Sequence, residues 1–236
     1  MKQEIQFFIF IDAENISHNL LELVFDEILK YGVISGKRAY ADWSNSAYKN
    51  WPEILDRLGV RPFQQFHYDT DETDKAIIMD IMEIVYSNEN INGICLIGND
   101  HIYGSIARRV REKGIYFLGI GTMQASKKFV DSCNSFIYLD NIAKEEEGTK
   151  KANVVKDSPK ENKSDALRLI MKAVDDIDEE SINLASLANM LKKLDPAFDS
   201  RTYGFKKLID LVRSFKSKIV VEPDDRVPPV YYVKKK

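Results

Sequence analysis

Three acids stand where an α/β chain would let carboxylates do chemistry. Asp12 ends the apolar run Phe7-Phe8-Ile9-Phe10-Ile11, Asp74 opens a stretch of helical periodicity, and Asp100 follows the run Gly93-Ile94-Cys95-Leu96-Ile97. Short apolar runs bounded by polar residues predict strands buried on both faces. Ligands of open α/β sheets bind outside the carboxyl ends of such strands, and neighbouring strands would bring Asp12 and Asp100 to one edge. Converging carboxylates repel unless a cation sits among them, and all-oxygen surroundings favour Mg²⁺ or Mn²⁺. An ion held there would polarise a phosphoryl group and activate water against a phosphodiester. Plainer readings stand beside this one. Asp12 could cap the next helix, a task Asn15 or Ser17 would do equally well, and Asp74 could simply favour a helix dipole. Asp80 lies six residues past Asp74, about 120° around a helix, so only one of the two can point into a shared site.

The elements that must position these acids follow from periodicity. Leu20, Leu21, Val24, Ile28 and Leu29 predict a helix that Gly32 would end. Residues 37–42 read as a second strand, 51–59 as a short helix with Pro52 in its first turn, and 61–68 as a third strand. An acidic loop, 69–73, leads into the helix that opens at Asp74. After Asp100 a basic-faced helix carries Arg108, Arg109 and Arg111 and closes at Lys113-Gly114. Residues 115–121 form a strand, 126–133 a helix and 136–140 a last strand. Such alternation predicts a parallel, doubly wound sheet with helices on both faces. Gly98, Gly119 and Gly121 read as close packing at strand ends better than as phosphate cradles.

Composition shifts at Ala143, and residues 143–163, rich in charge with Gly148 and Pro159, predict a flexible linker between a domain over 1–142 and another over 164–236. In the second, three helical stretches precede two strands joined by a Pro-Asp-rich turn, the pattern of a small winged helix. Between Arg201 and Val221 six basic residues face one acid, Asp210, while the run Asp175-Asp176-Asp178-Glu179-Glu180 balances them. A net charge of −3 means that any nucleic-acid surface must be local. Two cysteines in apolar contexts predict core thiols in a reducing compartment. No run is long enough to cross a bilayer, so a cytoplasmic protein with no membrane partner is expected.

The quoted residues bring a family with them. Phe8-Ile9-Phe10-Ile11-Asp12-Ala13-Glu14-Asn15 resembles the opening motif of NYN domains, members of the PIN-like nuclease superfamily. Asp74-Lys75-Ala76-Ile77-Ile78-Met79-Asp80, the stretch from Leu96 to Ile106, and the segment from Ser126 to Asp140 are similar to three further motifs in the same order. The resemblance implies a PIN-like, Rossmann-type fold over about residues 5–142 and metal-dependent ribonuclease chemistry. Asp12, Asp74 and Asp100 would be the catalytic metal ligands, with Asn15, Asp80, Asn99 and Ser126 in support. One departure stands out: Ile102 occupies the place read as the family's second Asp, beside Asn99 and His101. That leaves a catalytically degenerate domain, gripping RNA or protein, as the alternative. A phosphatase using Asp12 as nucleophile is a third reading, but that chemistry wants an acid pair D-x-D and position 14 is Glu.

Residues 195–208, with Tyr203-Gly204-Phe205-Lys206-Lys207-Leu208 at their core, resemble the OST-HTH (LOTUS) domain. That resemblance implies RNA, single-stranded or structured, or a docked protein as partner; a homodimer is also compatible with it. Because acids alone repel a polyanion, Lys127, Lys128, Arg201, Lys206 and Lys207 are the candidates to hold RNA phosphates.

Overall fold

β1 (Gln6–Asp12) lies inside a sheet, hydrogen-bonded on both sides, as its apolar run requires. In this computed structural model, residues 4–66, 72–88, 90–143, 163–175 and 181–236 are described. They form two compact units, Met1–Lys150 and Lys151–Lys236. In the first, β1, α1 (Leu21–Leu29), β2 (Val33–Ala41), α2 (Trp51–Arg57), β3 (Arg61–Gln64), α3 (Glu72–Ser87), β4 (Gly93–Ile97), α4 (Tyr103–Glu112), β5 (Tyr116–Gly121), α5 (Lys127–Val130), β6 (Ser135–Tyr138) and α6 (139–143) follow in turn. The strands are all parallel, in the order β3-β2-β1-β4-β5-β6. The order reverses between β1 and β4, and a doubly wound sheet opens its ligand crevice at the carboxyl ends of that pair. Asp12 and Asn99 sit at those ends.

Side chains alternate along β1, and the alternation sorts the helices. Phe7, Ile9 and Ile11 join Leu21, Val24 and Ile28 of α1 and Trp51 and Leu55 of α2 in one buried core. Phe10 and Asp12 face the other way. On that side Asp80 of α3 reaches Arg38 and Tyr40 of β2, and Tyr103 of α4 reaches Asp12. Helices therefore cover both faces.

Several expected boundaries move. The third strand stops at Gln64; His67, Tyr68 and the acidic residues 69–71 lie outside the described residues. The following helix already includes Glu72, so Asp74 lies within its first turn. Gly32 is not a helix cap. The helix ends at Leu29, and Gly32 is needed because a Cβ there would come within 2.2 Å of the Ile5 carbonyl oxygen. The expected helix 126–133 is regular only over Lys127–Val130.

The second unit comprises α7 (Lys163–Asp175), β7 (Ile182–Asn183), α8 (Leu184–Leu194), α9 (Leu208–Arg213), β8 (Ile219–Pro223) and β9 (Tyr231–Lys235). The strands form a small antiparallel sheet in the order β7-β9-β8. Its core gathers Ala166, Ile170, Leu187, Leu191, Leu211, Val212 and Val233. The expected third helix is divided: a 3-10 turn at Ser200–Tyr203 ends at Gly204, whose φ of 85° suits glycine. Of the expected linker 143–163, residues 144–162 lie outside the described set, as do Asp176, Asp178, Glu179 and Glu180 of the acidic run, while Ala143 ends α6 and Lys163 opens α7. Among the described residues no helix is long and apolar enough to cross a membrane.

Candidate functional site

Asp12 is 4% exposed, at the end of a strand buried on both faces. Its Oδ1 accepts the Glu14 backbone N–H at 3.1 Å, and its Oδ2 accepts the Asn15 side-chain amide at 2.5 Å. The same Oδ2 lies 3.1 Å from the hydroxyl of Tyr103, a side chain with no solvent exposure. That hydroxyl also donates to Asp74 Oδ1. The fold thus delivers two acids, from the end of β1 and the first turn of α3, to one phenol from the start of α4.

A hydroxyl has one proton to donate and cannot satisfy two anionic carboxylates at once. The arrangement balances when Asp12 keeps a proton and donates it to the phenol oxygen, while Asp74 accepts the hydrogen bond of the hydroxyl. Asp12 has the matching acidity: burial, above all, pushes its pKa from 3.8 up to about 7, and the charges of Asp74 and Glu14 add to this. The Glu14 backbone N–H and the Tyr103 hydroxyl pull the other way. Tyr103 itself is held far above the usual phenol range by burial and by both carboxylates, so it stays a phenol.

Tyr103 reaches this place through local structure. With Ile106, Ala107 and Val110 it forms the inward stripe of α4. Its ring packs edge-on against Phe129 with centroids 5.6 Å apart. The ring lies where a Cβ on residue 98 would come within 2.5 Å of it, so Gly98 is there for this side chain. Reading the sequence for acids missed Tyr103, although the spacing 103, 106, 107, 110 marks it as an inward residue.

The third acid shares no hydrogen bond with the pair. Asp100 Oδ1 accepts the Ile102 backbone N–H at 2.8 Å and lies 2.8 Å from His101 Nδ1, so it closes its own turn ahead of α4. Asp80 is also elsewhere. It accepts from Tyr40 OH at 2.5 Å and from Arg38 Nη1 at 3.0 Å, tying α3 to β2. Asn99 Oδ1 accepts the Thr122 N–H at 2.8 Å and joins the β4 and β5 ends, while the Asn99 carbonyl receives the Ser126 N–H at 2.9 Å. The Ser126 side chain makes no capping bond.

These residues are a poor fit to a divalent cation as arranged. Among the described residues no three His, Cys, Asp or Glu side chains are grouped to hold one. The space between the two acids that do meet is taken by a phenol, a neutral ligand far weaker for a hard cation than carboxylate.

The basic candidates differ in what holds them. Lys127 pairs with Asp131 at 3.1 Å on the surface, and Lys128 is exposed beside it. Lys206 and Lys207 are exposed before α9. Arg201 is different: its side chain is 15% exposed, and Nε and Nη2 both donate to Asp199 Oδ2, at 2.8 and 2.6 Å. It holds its own turn together.

The NYN domain model matches residues 6–140, and the OST-HTH/LOTUS domain model matches residues 157–231. No curated protein matches the chain. Among solved structures, the chain is similar to a protein of unknown function from Vibrio parahaemolyticus, at 15% identity over 60% of this chain and 97% of that one, with a TM-score of 0.50. It is also similar to an uncharacterized protein from Nitrosomonas europaea, at 30% identity over 36% of this chain and 81% of that one, with a TM-score of 0.27. The first likeness concerns the fold alone.

Proposed function

Since the chain belongs to the NYN domain family, we propose that it is an RNA-binding protein whose carboxylate centre is held closed by Tyr103. NYN domains are PIN-like members of a nuclease superfamily, and OST-HTH domains are RNA-binding modules. Both halves of the chain therefore point to RNA. The observation that carries the closed centre is the Tyr103 hydroxyl lying between Asp12 and Asp74. With Asp12 protonated and the Tyr103 hydroxyl donating to Asp74, the pair offers a cation one neutral carboxyl and one carboxylate already engaged.

A second reading, a metal-dependent ribonuclease using Mg²⁺ or Mn²⁺, has its own support. Two acids distant in sequence meet at the crevice where such sheets bind ligands. In that reading Asp12 and Asp74 hold the ion, which would supply charge to a phosphoryl oxygen, and Tyr103 must first leave. The buried free thiols of Cys95 and Cys133 favour a reducing, cytoplasmic setting for either activity.

The test is a labelled single-stranded RNA pool incubated with the full chain in EDTA, Mg²⁺ or Mn²⁺, followed by both polarisation and denaturing gels. Binding in all three conditions without cleavage is expected. Cleavage that requires the cation and vanishes in Asp12→Asn would establish the ribonuclease instead.

A further inference from the structure

Beside the carboxylates lies a second feature that the closed centre does not use. Trp43 follows β2 by two residues, and β2 runs next to β1, with the Ala13 N–H bonded to the Tyr40 carbonyl at 3.1 Å. The Trp43, Tyr48 and Trp51 rings form one cluster: Trp43 to Tyr48 5.7 Å, Trp43 to Trp51 5.7 Å and Tyr48 to Trp51 6.3 Å between centroids. Trp51 is the buried base, 3% exposed, and His18 packs edge-on against it at 6.0 Å. Trp43 and Tyr48 are only half-buried. Trp43 is fixed by its indole N–H, which donates to the Phe63 carbonyl at 2.9 Å, and by its backbone N–H, bonded to Gln64 Oε1 at 3.1 Å. Rings this firmly held stack on a ligand without losing much side-chain freedom.

The surroundings say which part of a ligand belongs there. Glu14, Asp12 and Asp42 lie near enough for their charges to act on the Tyr48 hydroxyl. Among the described residues that hydroxyl has no hydrogen-bond partner. Phosphate groups would be repelled by Glu14 and Asp42, and by Asp12 whenever it ionises. A neutral base is not, and its amino groups, or a ribose hydroxyl, are donors that carboxylates accept.

We propose that Trp43 and Tyr48 form a stacking platform for one unpaired RNA base, placed at the rim of the Asp12–Asp74 centre. This deepens the RNA-binding reading and rests on it. In the bound form the base lies on the half-buried faces of Trp43 and Tyr48, the Tyr48 hydroxyl donates to the base or ribose, and the backbone phosphates stay away from the acids. Every base has a π-face, so the platform selects single strands over duplex and is tolerant of sequence.

The chain contains two tryptophans, Trp43 and Trp51, both in the first unit, so its tryptophan fluorescence reports on that unit alone. The full chain is titrated with a mixed-sequence single-stranded RNA of about ten nucleotides, a length within the usual single-strand site size. Polarisation of a labelled RNA and tryptophan emission are followed together. The expected result is quenching with the same midpoint as the polarisation change, absent with duplex RNA and abolished in Trp43→Phe, which keeps a ring against Trp51 and so keeps the fold. The double variant Trp43→Ala/Tyr48→Ala should bind the single strand about tenfold to a hundredfold more weakly. RNA that binds by polarisation with unchanged emission, or with quenching that persists in Trp43→Phe, overturns the platform while leaving RNA binding intact. No polarisation change at all overturns the RNA reading itself.

Discussion

Asp12→Asn should remove a pH dependence from the stability of the first unit. In the folded chain Asp12 titrates at about 7, against 3.8 for an ordinary aspartate. Below the lower value both states hold the proton and burial carries no ionic penalty. Between the two, the unfolded chain has released its proton while the folded chain keeps it, so the folded state binds more protons and stability falls as pH rises. Above the higher value the loss is complete. A gap of about three pH units at 1.36 kcal/mol each sets a ceiling of about 4 kcal/mol. Asparagine cannot ionise and should lose none of it, while any change it makes to the Glu14, Asn15 and Tyr103 hydrogen bonds is the same at every pH. Urea denaturation of the parent and the variant, each at pH 4.5 and pH 8, reads the difference directly. The variant should gain on the parent by roughly 2–4 kcal/mol between those two conditions. A difference that stays level within about 1 kcal/mol would mean that Asp12 ionises in the folded chain as it does in water, and the account in which Asp12 stays protonated beside Tyr103 would fall.

Three other outcomes are expected. Tyr103→Phe strips the hydroxyl from between the two acids and should cost about 1–3 kcal/mol of stability. Added Mn²⁺ should raise the melting temperature of that variant and not of the parent, an asymmetry that differential scanning calorimetry would detect or deny. Asp80→Ala leaves the half-buried Arg38 without its nearest acid and Tyr40 without its acceptor, so the urea midpoint should drop by the equivalent of about 3 kcal/mol. Lys206→Gln/Lys207→Gln should weaken RNA binding and lower the slope of log affinity against log salt by about 1.4, two single-strand phosphate contacts' worth. Arg201→Gln should instead show up as lost stability of the second unit, because Asp199 already holds the guanidinium.

The sequence by itself decided much of this protein. The five apolar residues before Asp12 and the run 93–97 required strands buried on both faces, and their alternation with helices required a parallel sheet. Residues 6–140 carry the NYN motifs and residues 157–231 the OST-HTH ones, and those assignments stand. Asp12 at the end of β1 follows from the same pattern, because a buried strand can present a carboxylate only where it leaves the core. Spacing also limited Asp74 and Asp80 to separate directions on one helix, and they do diverge.

Tertiary structure decided which partners those acids took. Tyr103 stands 91 residues from Asp12 and 29 from Asp74, and nothing local to any of the three says that they meet. Asp80 found Arg38 and Tyr40, and Asp100 turned back on its own loop. Arg201, legible as one charge in a basic cluster, proved to be neutralised two residues away. The physical reason is the same in each case. Periodicity and propensity fix which residues lie on a helix or strand and which way they face, whereas a hydrogen bond needs two atoms placed within a few tenths of an ångström. That placement depends on strand register, helix tilt and contacts such as the Tyr103 ring lodged over Gly98, which exist only once the whole sheet has been packed.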